Sequence, residues 1–523
     1  MDYARKYIQR LDEIFCLNKQ NFSDGEERIN VHAAVSRFAF FYEKIRNLVD
    51  YKDEHLIRKA AVLRILKRLL ILEQDPRSIA EQLIRELIAA RYLPNGQIPV
   101  SLVDDISWRV YKLQLVQHVA AGDDRHLDWI RAMVSVEIEE ALVAAEREKA
   151  LINFLFDRIR QSVRVTRADI NDTDLQLQLY IACFRALYKA DDEIVGFKLL
   201  RAFLPEWMAP QSWMDNPRPV AERLLAVERR INLQLHHPLS QRFQRAVKPW
   251  AVALGMLNEV LVSKPDEAHV ILGKRETMRA AVSYAADERY ASTKTRVRRA
   301  TVRAMVYLFA TKMLLALVLE APIEWTLYRN IHIPALLVNL LFPATLMFVV
   351  GLMIRVPGTD NTDKILTGLD ELMGESLPAP LTIVAPARRT ALAKAVLGIT
   401  YFLTFVVTFG GIVLILEYLS FTWISTLIFL FFLCLVSFFA YRIRMSAREF
   451  TVIDTKVTLW TSVVDFFSIP VLRAGRWLSR NINRINVFLF FFDFIFEAPY
   501  KYFLSLLEEW FAFAKEKKDE LQP

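Results

Sequence analysis

Polar and apolar positions follow two different regimes along this 523-residue chain. Up to about residue 203, apolar residues recur at spacings of three and four, with charges filling the other positions. Leu63, Leu66 and Leu70 show the pattern within HLIRKAAVLRILKRLLILEQ, residues 55–74. That period predicts amphipathic helices, each needing a partner for its apolar stripe. The same reading predicts helices over 77–92, 123–160 and 169–189, the last opening on Asp and Asn residues suited to capping. Asn95-Gly96, flanked by Pro94 and Pro99, predicts a turn.

The regime changes at residues 204–219, where Pro205, Pro210, Pro217 and Pro219 forbid a continuous helix. Trp207 and Trp213 supply apolar anchors, so this segment is expected to be a packed connector. Helices resume over 220–235 and 239–262, and a last one over 267–303 is expected to run into the membrane.

Beyond residue 300 the pattern becomes almost wholly apolar. Two stretches, Val302 to Ile354 and Ala391 to Tyr441, are each long enough to cross a bilayer twice. About 20 apolar residues in a helix cover the roughly 30 Å of hydrocarbon. The expected spans are 303–323, 331–354, 395–416 and 420–441. Basic residues cluster before the first span, between the second and third (Arg355, Lys364, Arg388, Arg389, Lys394) and after the fourth (Arg442, Arg444, Arg448, Lys456). The two short turns at 323–330 and 417–419 hold only Arg329. Positive charge stays on the cytoplasmic side, so both termini and the middle loop are expected there. The expected location is the plasma or inner membrane.

The tail, 442–523, returns to amphipathic patterning. Leu459, Trp460, Val463, Val464 and Phe467 share one face of 457–472, and Pro470 is expected to close that stretch. Arg473, Arg476, Arg480 and Arg484 follow, then a Phe-rich segment with Asp493, Glu497, Lys501 and Ser505 spaced by four. These are read as interfacial helices on the cytoplasmic leaflet, against a fifth and sixth span or a helix packed on the soluble part. The stripe Asp493, Glu497 and Lys501 is a candidate interface. The complete expectation is an all-α polytopic membrane protein. A soluble helical region (1–203), connector (204–219) and second helical unit (220–302) precede a transmembrane domain (303–441) and the interfacial tail.

Composition refines this picture. Hydrophobic residues make up 54% and mean hydropathy is +0.21, high for a soluble protein. Only 14 glycines and little period-two alternation argue for helix over sheet. The net charge of +8 would suit nucleic acid, but the densest basic run, Lys294, Arg296, Arg298, Arg299 and Arg303, abuts the first span. Anionic headgroups are therefore the expected partner of these residues and of Arg473, Arg476, Arg480 and Arg484, with no nucleic acid. Cys16, Cys183 and Cys434 imply no disulfide framework. The charged start, MDYARKYIQRLDEIF, is not expected to be a secretory signal.

Candidate chemistry is sparse. Asp266-Glu267-Ala268-His269 spells a helicase-type tetrad, but Pro265 precedes it and no GxxxxGK[ST] loop occurs. A helix N-terminus is the expected reading. His236-His237 lack further ligands at metal spacing, and GTDNTDK matches a calcium loop poorly. No catalytic, cofactor or metal site is expected. Lys312 is the exception, because a lone charge inside a span costs a few kcal/mol. Glu320, Glu324 and Glu417 are its candidate partners. The leading functional expectation is a membrane-anchored scaffold or adaptor that binds proteins through its cytoplasmic helices. The alternative is a transporter or channel using Lys312, and the third is a membrane enzyme acting on lipids.

Overall fold

Local chemistry sets where the helices begin. In the computed structural model, Asp75, Asp123, Asn171 and Asp191 each accept a hydrogen bond from the N–H three residues on. Each cap satisfies a donor that the first helical turn leaves open. The structure describes residues 27–31, 54–120, 123–143, 146–166, 170–328, 333–354, 356–374, 378, 380–385, 390–448, 450–452 and 459–484, with 9, 36, 40, 43 and 510. Helices account for 83% of them. Contacts divide the chain into two units: Met1–Thr277, Gly368–Ala385 and Phe492–Pro523 form the first, Met278–Thr367 and Pro386–Phe491 the second.

The first unit begins with α1 (Glu54–Leu72), α2 (Pro76–Ala89), α3 (Ser101–Val119), α4 (Asp124–Leu142) and α5 (Glu146–Ile159). After β1 (Val163–Thr166) come α6 (Asp172–Leu187), α7 (Asp192–Phe203), α8 (Arg218–Leu235), α9 (Ser240–Ser263) and α10 (Ala268–Gly273). The helix expected over 123–160 is therefore two, parted after Leu142. Packing pairs α6 with α9, α1 with α4, and α2 with α3, and their apolar stripes are buried. Leu66, Ile79, Leu83, Ile106 and Leu113 are fully enclosed, each burial worth about 2 kcal/mol. The 204–219 segment forms two 3-10 turns inside this unit, with Trp207 completely buried. The predicted turn forms as well: Gly96 adopts φ +70°, and the Asn95 amide bonds Val31 N–H and C=O, both at 2.9 Å.

The all-α expectation needs one amendment. Leu381–Val384 is a strand, β2, paired in parallel with β1 from Val163↔Leu381 to Thr166↔Val384. Residues 381–385, between the second and third apolar helices, thus belong to the first unit. Arg158 donates to the carbonyls of Glu371 (3.1 Å) and Gly374 (2.8 Å), and the Trp250 indole N–H donates to the Glu371 carboxylate at 2.7 Å.

The second unit starts within α11 (Arg275–Leu315), which leads through a π-helical turn at Ala316–Glu320 into α12 (Ala321–Tyr328). Next are α13 (Ile333–Met353), α14 (Thr359–Met373, which leads back into the first unit), α15 (Ala391–Tyr418), α16 (Trp423–Ala447) and α17 (Leu459–Arg484). Among the described residues four helices are long and apolar enough to cross a membrane: Arg275–Val318, Ile333–Met353, Ala391–Tyr418 and Trp423–Met445. They coincide with the expected spans to within a few residues, except that the first begins far earlier.

Two apolar clusters hold this unit together. One joins Leu308, Met347, Phe432, Val436 and Ala440, the other Ala335, Leu416, Phe421 and Phe429. Pro470 does not end its helix; α17 continues to Arg484. Gly475 sits directly against the Cys434 carbonyl and Phe438, so packing on α16 outweighs the local cost of the proline. Asp493, Glu497 and Lys501 lie outside the described residues.

Candidate functional site

Helix α13 buries one face, and its residues are spaced by four: Ala335, Asn339, Pro343 and Met347. Ala335 and Met347 belong to the two apolar clusters, so Asn339 is a polar residue between apolar layers. Its amide donates to Glu320 Oε1, and Ser425 Oγ donates to the same oxygen at 2.6 Å. Glu320 Oε2 lies 3.6 Å from Lys312 Nζ, which also stands 4.8 Å from the centre of the Phe432 ring. Lys312, Glu320, Asn339 and Ser425 are all at most 2% exposed.

Lys312 and Glu320 are eight residues apart, about 12 Å along an ideal helix. The π-helical turn ends at Glu320 and widens the backbone there. Such turns frequently mark functional positions within helices. The result is a pair neutralised within the protein, as a charge among apolar helices requires. The pair is not tightly closed, however. Lys312 Nζ, Glu320 Oε2 and Asn339 Oδ1 are buried without a hydrogen-bond partner among the described residues. Two of these atoms face each other as the ion pair, which leaves Asn339 Oδ1.

Of the three acids expected to partner Lys312, only Glu320 is brought to it among the described side chains. Glu417 is exposed at the C-terminal end of α15, and Glu324 lies on α12 with its side chain outside the described residues. Ser425 was not anticipated; it sits beside Thr426 near the start of a mostly apolar helix, and no local pattern sets it apart.

Asn361 was also missed. It lies in GTDNTDK, where it donates to Tyr290 Oη (2.8 Å) and the Phe450 carbonyl (2.9 Å) and accepts from Val452 N–H (2.7 Å). The segment is a buried polar staple at the head of α14. Among the described residues no group of three His, Cys, Asp or Glu side chains could hold a metal ion.

The remaining sequence candidates divide simply. Asp266 and Glu267 stand at the start of α10 rather than at a strand end, and His236 caps α8. Lys294, Arg296, Arg298 and Arg299 are exposed on α11. Arg473 covers the Tyr401 ring at 4.9 Å, Arg476 is exposed, and Arg480 and Arg484 lie on α17 with side chains outside the described residues. No family model matches the chain, and neither a curated protein nor a solved structure shows significant similarity to it.

Proposed function

We propose that this chain is a four-span membrane-anchored scaffold whose helical unit binds protein partners in the cytoplasm. One observation carries the reading: residues 368–385, from between the second and third candidate spans, fold into the same unit as the residues before the first. Strand pairing and the Arg158 and Trp250 bonds support reading both segments on one side of the membrane. The basic residues that flank the apolar helices support reading this side as cytoplasmic. Residues on both sides of the first two apolar helices are thereby gathered into one helical body, which suits a scaffold. Trp108 and Tyr111, edge-to-face at 6.0 Å and 54% and 39% exposed, offer the residue types that anchor protein interfaces.

The test is site-specific photocrosslinking in native membranes from positions 108 and 111. A discrete adduct shared by both, and absent from exposed Leu233 on α8, is expected. No adduct, or the same smear from all three positions, overturns the scaffold reading. Labelling a Glu417→Cys variant only from the cytoplasmic side overturns the orientation.

The second reading, a transporter or channel, rests on the buried Lys312–Glu320 ion pair with Asn339 and Ser425 among apolar helices. If Lys312→Leu folds normally and abolishes a proton or ion flux in proteoliposomes, that reading replaces the first.

A further inference from the structure

Helix α11 carries Lys294, Arg296, Arg298, Arg299 and Arg303 just before its apolar half. All five are exposed, and none has an ion-pair partner among the described residues. The buried face of the helix is marked by Tyr290, Val297, Thr301, Leu308 and Lys312. At about 100° per residue, Arg298, Arg299 and Arg303 fall away from that face around Val302, and Lys294, one turn before Arg298, is exposed at its edge. With Thr295, these residues line one shallow concavity. The same side of the helix continues as Val306, Phe309, Met313 and Leu317, exposed by 64%, 37%, 45% and 64%.

A cationic cradle followed on the same face by an exposed apolar track has the two-part chemistry of a phospholipid. Guanidinium forks bind phosphate oxygens with charge-assisted hydrogen bonds. An apolar track offers nothing to a free anion or to a nucleic-acid backbone, but it suits an acyl chain. We propose that this face of α11 binds an anionic glycerophospholipid. Its phosphate lies against Lys294, Arg298, Arg299 and Arg303, and a chain runs along Val302, Val306 and Phe309. This site does not depend on the scaffold reading.

The experiment titrates the full chain in non-ionic detergent with dioleoylphosphatidylglycerol, dioleoylphosphatidylcholine or glycerol 3-phosphate, followed by native mass spectrometry. Phosphatidylglycerol should bind roughly tenfold more tightly than phosphatidylcholine, and glycerol 3-phosphate far more weakly than either. Changing Lys294, Arg298, Arg299 and Arg303 to Gln should remove the preference. Changing the three arginines to Lys should keep most of it. The Arg298→Gln, Arg299→Gln pair, expected to lose roughly threefold, decides the matter if the fourfold variant fails to fold. Replacing four exposed arginines of the first unit (Arg125, Arg218, Arg229 and Arg245) by Gln should leave binding unchanged. Equal affinity for the two lipids, wild-type binding by the fourfold variant, or equal loss in that control overturns the proposal. So does glycerol 3-phosphate binding as tightly as the lipid, which would make this a free-anion site.

Discussion

In each unit a buried lysine faces a glutamate and an aromatic ring, Lys112 in the first and Lys312 in the second, and the two pairs are built differently. In the first unit Lys112 Nζ donates to both Glu137 oxygens at 2.6 and 2.7 Å and sits 4.3 Å from the centre of the Trp207 ring. The Trp207 indole N–H closes the arrangement with a 3.0 Å bond to Glu137. In the second unit the Lys312–Glu320 ion pair spans 3.6 Å, and Asn339 and Ser425 rather than Lys312 hydrogen-bond the carboxylate. Burial pushes the Lys112 ammonium below the usual lysine range, and the adjacent carboxylate opposes that shift only in part. A water-soluble core must satisfy such a pair completely, because its unfolded state hydrates both ions. Among apolar helices the unfolded reference also lacks water, so a looser pair is tolerated.

Three substitutions test this contrast. Glu137→Leu should be the most damaging, costing the first unit about 3–5 kcal/mol by leaving Lys112 charged, buried and alone. Denaturant unfolding measures it, and a Lys112→Met, Glu137→Leu double variant should recover most of the loss. Glu320→Leu should cost the second unit about 2 kcal/mol, read by unfolding in mixed micelles. A loss larger than that of Glu137→Leu would show the second pair to be the tighter one and break the comparison. Asn339→Leu should cost only about 0.6 kcal/mol, the average for a hydrogen bond between membrane helices. A larger loss would identify Asn339 as a principal holder of Glu320.

Much of this architecture is legible residue by residue. The Asp and Asn caps, the proline interruptions and the four apolar helices follow from local rules that act within a few residues. Lys312 is conspicuous because charge is rare in such a segment, and Glu320 is close enough in sequence to be a candidate partner. Less visible is the strand pair. Val163 and Val165 alternate with polar residues, and Thr382, Ile383 and Val384 form a β-branched run between prolines. Each run is four residues long, too short to outweigh the surrounding helical signal. Their pairing joins positions more than 200 residues apart, a relation that no local period encodes. Pro470 shows the converse: a local rule predicts a stop, and close packing at Gly475 carries the helix through.

The chain's own periodicity therefore determined the helices, their caps and the two apolar stretches, because those depend on neighbours within one or two turns. Tertiary structure alone decided that residues 368–385, between the second and third apolar helices, belong to the first unit. It also chose Glu320 over Glu417 as the partner of Lys312 and turned Asn361 from a faint ion-loop residue into a staple. Those outcomes depend on which distant surfaces meet, and burial then selects the polar groups that must find each other.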